Sequence, residues 1–246
     1  MDSESVFQRL LWEPAMAHRP RLSLPGHPLH VIQRGHNRQA IFTRQRDFRL
    51  YLDYLREAAE HHGLALHAYV LMTNHVHLLA TPRGEASLPR TMQSLGRRYV
   101  GYFNAAQGRS GTLWEGRYRA ALVDTEGYFF TCSRYVELNP VRAAMTEHPR
   151  DYAWSSYRRN AEEAQDPLIS EHDVYRALGD SAGARRSSYR AHFRDAIGTA
   201  DLQAIRDSTN RGWALGSEAF RSRVAMRLGR PAGPRQRGRP RKTADR

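Results

Sequence analysis

Two histidines one residue apart, His75 and His77, are the side chains of this sequence best suited to metal chemistry. They lie in an apolar, strand-like run at 71–80. Side chains at positions i and i+2 of a strand leave the same face, so both imidazoles can offer a neutral nitrogen to one divalent cation. The alternative is that one histidine is a hydrogen-bonded core residue and the other lies on the surface. A metal site therefore needs a third ligand and a reacting group from elsewhere in the chain.

A tyrosine and an asparagine four residues apart, Tyr135 and Asn139, form the second candidate pair. On a helix they share one face and can reach the same ligand, and Pro140 is consistent with the end of that helix. The alternative is that Tyr135 is an interfacial core tyrosine and Asn139 a C-terminal cap. Tyr99 is a rival to Tyr135, because it also lies on a predicted helix beside arginines.

The elements that must position these pairs alternate between strands and helices. The sequence predicts strands at 29–34, 64–72, 75–81 and, more loosely, 113–123, and helices at 47–60, 88–106 and 126–138, the last with Thr125 as its N-cap. The chain lacks the Gly-rich loops and the tight βαβ regularity of a nucleotide-binding fold. These features favour an α+β fold in which a small antiparallel sheet is covered by helices.

Composition divides the 246 residues into four parts. Residues 1–15 are interpreted as an N-terminal extension, with Met16 as an alternative start of translation, and residues 16–160 as the core domain. The acidic and polar stretch 161–166 opens a helical extension, 161–228. Residues 229–246, rich in Gly, Pro and Arg, are predicted to be a basic tail that is disordered when unbound.

The net charge of +13 is concentrated near the C-terminus. Residues 221–246 hold ten basic side chains against the single acid Asp245, a net charge of +9, which leaves +4 for residues 1–220. This asymmetry indicates a polyanionic partner, most often a nucleic acid, although a solvated tail without a specific role is the alternative.

The cellular location is predicted from what the sequence lacks. No apolar run approaches the roughly 18 residues needed to cross a bilayer, and the N-terminus does not have the order of a secretory signal. The single cysteine, Cys132, excludes an internal disulfide and fits a reducing compartment. We therefore expect a cytoplasmic, nucleoid-associated protein with no membrane partner.

Four ordered motifs give the chain a resemblance to the REP-associated tyrosine transposases, which are single-tyrosine members of the HUH endonuclease class. The motifs are residues 28–35, the pair His75-Val76-His77, Trp114-Glu115-Gly116-Arg117-Tyr118, and residues 134–142. The resemblance implies a ferredoxin-like sheet whose central strand presents the histidines. It also implies a helix that presents the nucleophilic tyrosine opposite them.

The resemblance assigns roles to the two candidate pairs. It implies that His75, His77 and Asn139 hold Mg²⁺ or Mn²⁺ and that Tyr135 is the nucleophile. Related transposases have glutamine in place of Asn139, and since asparagine is one methylene shorter, a water can mediate its contact. The implied reaction is cleavage and rejoining of single-stranded DNA at REP hairpins through a 5′-phosphotyrosine link, by a monomer or a homodimer.

The predicted DNA contacts are polar and basic side chains in the core motifs and in the tail. They are Arg34, Asn37, Arg38, Arg117, Arg134, Arg142, Arg237, Arg239 and Arg241. Residues 236–242 resemble an AT-hook, in which Gly-Arg-Pro enters the minor groove. Two interpretations stay open beside the transposase: a non-catalytic DNA-binding regulator of REP-like palindromes, and a metal-dependent hydrolase that forms no covalent intermediate.

Overall fold

The computed structural model describes residues 21–234. Four strands form one antiparallel sheet in the order β2-β3-β1-β4: β1 (Leu29–Arg34), β2 (Leu64–Met72), β3 (His75–Pro82) and β4 (Arg119–Leu122). Helix α1 (Gln45–His62) connects β1 to β2, and α2 (Ser87–Ala106) connects β3 to β4. The chain therefore follows a βαββαβ path, and the ferredoxin-like α+β fold that was predicted is confirmed.

The two faces of the sheet are covered by different helices. Helices α1 and α2 pack on one face, and the opposite face lies beneath helices from later in the chain. The later helices are α3 (Phe129–Glu137), α4 (Asn139–Arg142), α5 (Tyr157–Ala161), α6 (Asp173–Arg176), α7 (Ala182–Ala191), α8 (Thr199–Arg211) and α9 (Glu218–Leu228). Of these, α9 packs through Phe220 and Val224 into the core shared with α1 and α2. Helices α3 and α8 make most of the contacts with the sheet on the second face, opposite α1 and α2, and α4 adds a smaller contact with β2.

Strand alternation assigns the side chains to these faces. In β1, Leu29 and Val31 are fully buried in the core shared with α1 and α2, whereas His30 contacts the α3 side. In β2 the register shifts between Leu66 and Ala68, so a bulge at this point reverses which face the following residues occupy. The second half of β2 therefore supplies Val70 to the α3 side.

A two-residue turn fixes the start of β3, where the histidine pair begins. Thr73 and Asn74 connect β2 to β3, and the Thr73 carbonyl accepts the N–H of Ile41 at 2.8 Å. The Asn74 carbonyl accepts the N–H of Gly35 at 2.9 Å. The backbone after β1 therefore holds the turn in place from the side.

Two predicted elements are shorter than the sequence indicates. The strand predicted at 113–123 pairs with β1 only at Arg119–Leu122, and Trp114 forms an isolated bridge with Gly35. The helix predicted from 126 begins at Phe129, and its N-cap position is Tyr128 rather than Thr125. The physical reason is a preceding turn in which the Asp124 carboxylate accepts the Glu126 N–H at 3.3 Å, so the chain is not yet helical there.

The predicted helical extension packs into both cores of the protein. Leu168 and Ile169 join the core under α1 and α2, while Ile205 and Leu215 join the core under α3. The predicted boundary at residue 160 therefore does not separate two independent cores. Among residues 21–234, no helix is long and apolar enough to cross a membrane.

The structure corrects the prediction for the first residues of the basic tail. Residues 229–234 were predicted to be disordered, but Ala232 is buried and its carbonyl accepts the N–H of Ala214 at 2.8 Å. This short segment is therefore held by the extension. The predicted N-terminal extension, 1–15, and the rest of the basic tail, 235–246, lie outside the described residues.

Candidate active site

The predicted histidine pair lies on β3 in the middle of the sheet. His75 and His77 are on the face opposite to Val76 and Leu78, which are fully buried under α1 and α2. The two imidazole centroids are 5.0 Å apart. His77 is buried and His75 is partly exposed, so the pair spans the boundary between core and solvent.

Tyr135 is the tyrosine that the structure brings to this pair. Its ring, on α3, lies edge-on to His77 with centroids 5.6 Å apart, and 6% of the residue is exposed. Tyr99 lies on the other side of the sheet, where it is fully buried and its hydroxyl donates to the carbonyl of Ile41 at 2.5 Å. The geometry therefore separates the rival tyrosine from the histidines.

A third histidine, His30 of β1, completes the cluster and was not identified from the sequence. It is fully buried, its Nε2 is 2.9 Å from Nδ1 of His77, and its ring meets Tyr135 edge-on at 5.5 Å. The signal was present, because the first motif contains His30 and β1 is antiparallel to β3. Strand register, which the sequence did not supply, is what places His30 beside His77.

Burial keeps these imidazoles neutral. Burial, reinforced by the nearby Arg34 guanidinium, lowers the pKa of His75 to about 4, and burial lowers the pKa of His30 to about 3. The pKa of His77 is also well below its ordinary value, through burial and then through His30. Neutral imidazoles are the form that binds metals, so His75 and His77 fit the cation that the family resemblance implies.

Any further protein ligand that the described residues supply to a metal at His75 and His77 would have to come from a side chain other than His, Cys, Asp or Glu. Within residues 21–234, no three His, Cys, Asp or Glu side chains are arranged to hold a metal ion. Asn139 caps α3, because its Nδ2 donates to the carbonyl of Tyr135 at 2.7 Å and to that of Val136 at 3.3 Å. This cap leaves Oδ1 as the atom that would face a cation. Metal binding by Asn139 stays a prediction.

Several of the predicted DNA-binding residues surround the cluster. Arg142 lies over the Tyr135 ring, 4.8 Å from its centroid, and Arg34 pairs across the sheet with His75. Asn37 and Arg38 are exposed in the turn after β1, and the Arg38 carbonyl accepts from Asn74 at 3.1 Å. These four residues are therefore grouped around the histidine end of the sheet.

Arg134, another predicted DNA contact, lies against the helical extension, and its role in DNA binding stays a prediction. Its guanidinium donates to the backbone carbonyl of Asp195 in the helical extension. Burial lowers the pKa of Arg134, as expected for a side chain enclosed between α3 and the extension. Arg134 therefore connects two parts of the protein and does not join the basic residues around the histidines. Arg237, Arg239 and Arg241 lie outside the described residues.

A basic cleft continues from the histidines along the edge of the sheet. It comprises two adjoining cavities, a larger one of about 490 Å³ and a smaller one of about 70 Å³. The arginines that line them are Arg21, Arg34, Arg117, Arg119 and Arg211. Arg119 donates to the Asn210 side chain at 2.8 Å, so α8 forms one wall. Sequence reasoning found Arg34 and Arg117 but missed the others, because α8 could not be placed beside β4.

A buried carboxylate connects α3, the helix that carries Tyr135, to later parts of the chain. Glu137 of α3 is fully buried and accepts hydrogen bonds from Ser156 at 2.6 Å, Asn160 at 2.9 Å and Tyr189 at 2.8 Å. Burial raises the pKa of Glu137 to about 7, although the three hydrogen bonds act in the opposite direction. Because Tyr189 belongs to α7, this network ties α3 to the extension.

Comparisons with known proteins agree with this geometry. Residues 24–139 match the family described as "Transposase IS200 like", a segment that contains the sheet, α1, α2 and α3. The resemblance to transposases that the four motifs indicated is therefore confirmed. No match is found among curated proteins.

Solved structures provide the second comparison. A REP-associated tyrosine transposase bound to a REP hairpin matches with a TM-score of 0.51 and 16% sequence identity, covering 64% of this chain and 93% of that one. At this identity the similarity establishes the fold. A transposase candidate from Deinococcus radiodurans matches at 22% identity over 49% of this chain and 96% of that one, with a TM-score of 0.35.

Proposed function

We propose that this protein is a transposase that cleaves and rejoins single-stranded DNA at REP-type hairpins, with Tyr135 as nucleophile and a divalent cation held at His75 and His77. The observation that carries the proposal is the edge-on approach of Tyr135 to His77 at 5.6 Å on one face of the sheet. The family match over residues 24–139 supports the DNA-transposing class. The solved relative with the same fold is bound to a REP hairpin.

The proposed reaction exchanges one phosphodiester for another. Oη of Tyr135 loses its proton and attacks the scissile phosphorus, the bond from phosphorus to the 3′ oxygen breaks, and that oxygen takes up a proton to become a 3′-hydroxyl. The 5′ end of the downstream strand remains linked to the tyrosine. Because the phosphotyrosyl bond keeps the energy of a phosphodiester, a 3′-hydroxyl can attack it in turn, so joining is the reverse of cleavage.

The site residues meet the two difficulties of this reaction. A phenol is a weak nucleophile at neutral pH and the phosphodiester is an anion. Mg²⁺ or Mn²⁺, when bound, would neutralise phosphate oxygens and stabilise the leaving oxygen. Two imidazole ligands favour Mn²⁺, since Mg²⁺ prefers oxygen. Arg142, which is exposed and lies beside the Tyr135 ring, adds positive charge for the same phosphate.

The basic cleft provides a path for the single strand that leaves the site. Its arginines supply the charge that tracks a phosphate backbone, and Arg34 lies both in the cleft and next to His75. In this proposal the strand passes from the histidines toward Arg117 and Arg119. Asn37 and Arg38 contact DNA on the other side of the histidines, and the AT-hook-like tail adds contacts to the hairpin.

A second candidate function is a non-catalytic regulator that binds REP-like palindromes. The basic cleft alone would serve such a protein equally well. The observation that separates the two is the histidine cluster, because a regulator has no need of neutral imidazoles against a tyrosine. A metal-dependent hydrolase would use the histidines but would have no need of Tyr135.

The test is formation of a covalent adduct. The protein is incubated with end-labelled single-stranded REP hairpins and Mn²⁺, and the products are separated under denaturing conditions. We expect an SDS-resistant protein–DNA adduct, with the DNA attached to the peptide that contains Tyr135. Tyr135→Phe should abolish the adduct and preserve hairpin binding, while Tyr99→Phe should form it normally.

Three results would contradict the proposal. Hairpin binding without any adduct would favour the regulator. Cleavage with no adduct would favour the hydrolase. An adduct that persists in Tyr135→Phe and disappears in Tyr99→Phe would show that the nucleophile was wrongly chosen.

A further inference from the structure

A chain of buried hydrogen bonds runs from the proposed metal site into the helical extension. Nδ1 of His77 is 2.9 Å from Nε2 of His30, and Nδ1 of His30 is 2.8 Å from Oγ1 of Thr209 on α8. Oγ1 of Thr209 is in turn 2.8 Å from the backbone carbonyl of Ile205. His30 and Thr209 are fully buried, so water does not compete for these hydrogen bonds.

The Thr209 hydroxyl at the end of this chain determines which nitrogen of each histidine carries the proton. A carbonyl can only accept, so the single hydroxyl proton of Thr209 goes to Ile205. The Thr209 oxygen must then accept from His30, which places the His30 proton on Nδ1 and leaves a lone pair on Nε2. That lone pair accepts from His77, whose proton therefore lies on Nδ1.

The ring geometry agrees with a hydrogen bond between the two imidazoles. Their planes are inclined by 7° with centroids 5.1 Å apart, which suits an N–H···N contact lying in the planes of both rings. A neutral His30 is also the state that its complete burial favours. Of the two nitrogens of His77, only Nε2 then keeps a lone pair for a cation.

We infer that Thr209 and His30 are positioning residues that hold His77 in its Nδ1–H tautomer, so that Nε2 is the nitrogen presented to the metal. Outer partners of this kind commonly set the tautomer and basicity of metal-binding histidines. The use of this tautomer in catalysis rests on the proposed function, whereas the tautomer itself is a property of the metal-free protein. The inference gives the extension a part in the active site.

His75, the neighbouring proposed ligand, is held in the same Nδ1–H tautomer by a different partner. Nδ2 of Asn74 donates to the Arg38 carbonyl at 3.1 Å, so its Oδ1 is the acceptor for Nδ1–H of His75 at 2.6 Å. His75 therefore also presents Nε2. Because Asn74 and Thr209 do not share a partner, a change at Thr209 should alter His77 and leave His75 as an internal control.

Removal of the Thr209 hydroxyl should exchange the donor and the acceptor in the hydrogen bond between His30 and His77. With valine at 209, a proton on Nδ1 of His30 has no acceptor. The His30 tautomer with its proton on Nε2, which can donate to His77, is then the more stable one. Nε2–H of His30 then requires a lone pair on Nδ1 of His77. The proton of His77 moves to Nε2, where it blocks the cation.

The experiment is long-range ¹H–¹⁵N NMR of the imidazole nitrogens in the full-length, metal-free protein labelled in histidine. In the wild type we expect a protonated Nδ1 and an unprotonated Nε2 for both His75 and His77, with signals assigned through His75→Gln and His77→Gln. In Thr209→Val the His77 signals should shift toward the Nε2–H form. Thr209→Ser, which keeps the hydroxyl, should restore the wild-type pattern.

A matched control is available on the other face of the sheet. Thr91 of α2 is also fully buried and also donates to the carbonyl four residues earlier, that of Ser87, at 2.8 Å. Thr91→Val therefore removes the same type of hydrogen bond without touching the histidine chain. Mn²⁺ titrations without DNA should show about tenfold weaker binding for Thr209→Val, within the range of such outer partners, and no change for Thr91→Val.

An Nε2–H tautomer of His77 in the wild type would overturn the inference without any variant. So would a Thr209→Val spectrum in which His77 is unchanged. These outcomes are distinct from failure of the proposed function. If the protein forms no DNA adduct but His77 carries its proton on Nδ1 and loses it in Thr209→Val, the positioning role stands and the nuclease proposal falls.

Discussion

The two faces of the sheet show how one set of strands can carry both stability and chemistry. Toward α1 and α2, the strands present apolar residues such as Val76 and Leu78, and the Tyr99 hydroxyl in this core donates to the Ile41 carbonyl. Toward α3 and α8, the same strands present His30, His75 and His77. The period of two along a strand keeps these functions apart.

The difference also concerns where the covering helices come from. The face under α1 and α2 is covered by the two helices of the βαββαβ unit, and the extension adds a few residues such as Leu168 and Phe220 to that core. On the second face, by contrast, the groups on α8, on α7 and at Ser156 that contact His30 and Glu137 belong to later parts of the chain. The polar second face is therefore completed only when the extension is in place. Substitutions that act on one face and spare the other can test this division.

The largest contrast is expected between neighbours on β3. His77→Ala should reduce adduct formation by more than the roughly 10–100-fold typical of removing an outer-shell partner, because it removes a proposed ligand itself. Leu78→Ala should lower the free energy of unfolding by about 2–5 kcal/mol through a core cavity. Activity is measured as adduct per folded molecule, and stability by denaturant unfolding.

EDTA provides the control for this pair. It should reduce the activity of the wild type to that of His77→Ala and have no effect on the unfolding of Leu78→Ala. Full activity of His77→Ala in EDTA would show that the histidines are core residues without a metal role.

The second contrast compares Tyr99 with Tyr135, the two buried tyrosines that were considered as nucleophiles. Tyr99→Phe should destabilise the protein by about 1–3 kcal/mol, because the Ile41 carbonyl is left without its buried partner, and the adduct should still form. Tyr135→Phe should unfold close to the wild type in urea, since the proposed role of its hydroxyl is in the chemistry. A Tyr99→Phe protein as stable as the wild type would contradict the difference between the faces.

Sequence reasoning recovered what depends on local periodicity. Alternation identified the strand that carries His75 and His77, and the order of elements gave the fold class. Helical spacing correctly placed Tyr135 on a helix, but Asn139 is not on the same helix, because α3 ends at Glu137 and Asn139 begins α4. Arg142, which was predicted to contact DNA, lies over the Tyr135 ring, and its contact with DNA stays a prediction.

What sequence reasoning missed depends on contacts between distant residues. His30 is 47 positions from His77 and Thr209 is 179 positions from His30, and no local pattern connects them. Arg134 belongs to the same motif as Tyr135, yet adjacent residues on a helix point in different directions, and the contact of Arg134 with the extension could not be foreseen. The short β4 was over-extended because alternation continues into the loop before it.

The third prediction concerns pH and the network behind Tyr135. Burial raises the pKa of Glu137 from its ordinary value to about 7, so the folded protein holds this proton more tightly than the unfolded chain. Glu137 therefore contributes stability that is fully present below about pH 4.5 and is lost as the pH rises toward about 7. Glu137→Gln, which is neutral at all pH values, should lack this pH dependence.

The measurement is the difference in unfolding free energy between wild type and Glu137→Gln at several pH values. Relative to the variant, the wild type should become less stable by about 1–3 kcal/mol between about pH 4.5 and 7. His30 and His75, whose pKa values are lowered, gain stability as the pH rises to about 6.5, but they are common to both proteins and cancel. A difference independent of pH would show that Glu137 stays ionised in its network.

The smallest effect is expected on the outer rim, where charged side chains meet solvent on both sides of the molecule. Arg117 and Arg119 line the basic cleft beside the histidine face, and Arg46 and Arg49 are on α1 on the other side. If the single strand follows the cleft, replacing Arg117 and Arg119 by alanine removes up to two ion pairs with phosphates. Each ion pair removed should flatten the slope of log K against log salt by about 0.7 for single-stranded DNA.

Binding is measured by fluorescence anisotropy of a hairpin with a single-stranded extension at several salt concentrations, and the double change at Arg46 and Arg49 is the matched control. It removes the same charge from the opposite side of the sheet and should leave the slope unaltered. Attraction to net charge alone would instead reduce binding equally in both double variants. Equal slopes for the two would mean that the strand does not enter the cleft, and that DNA reaches the histidine face from another direction.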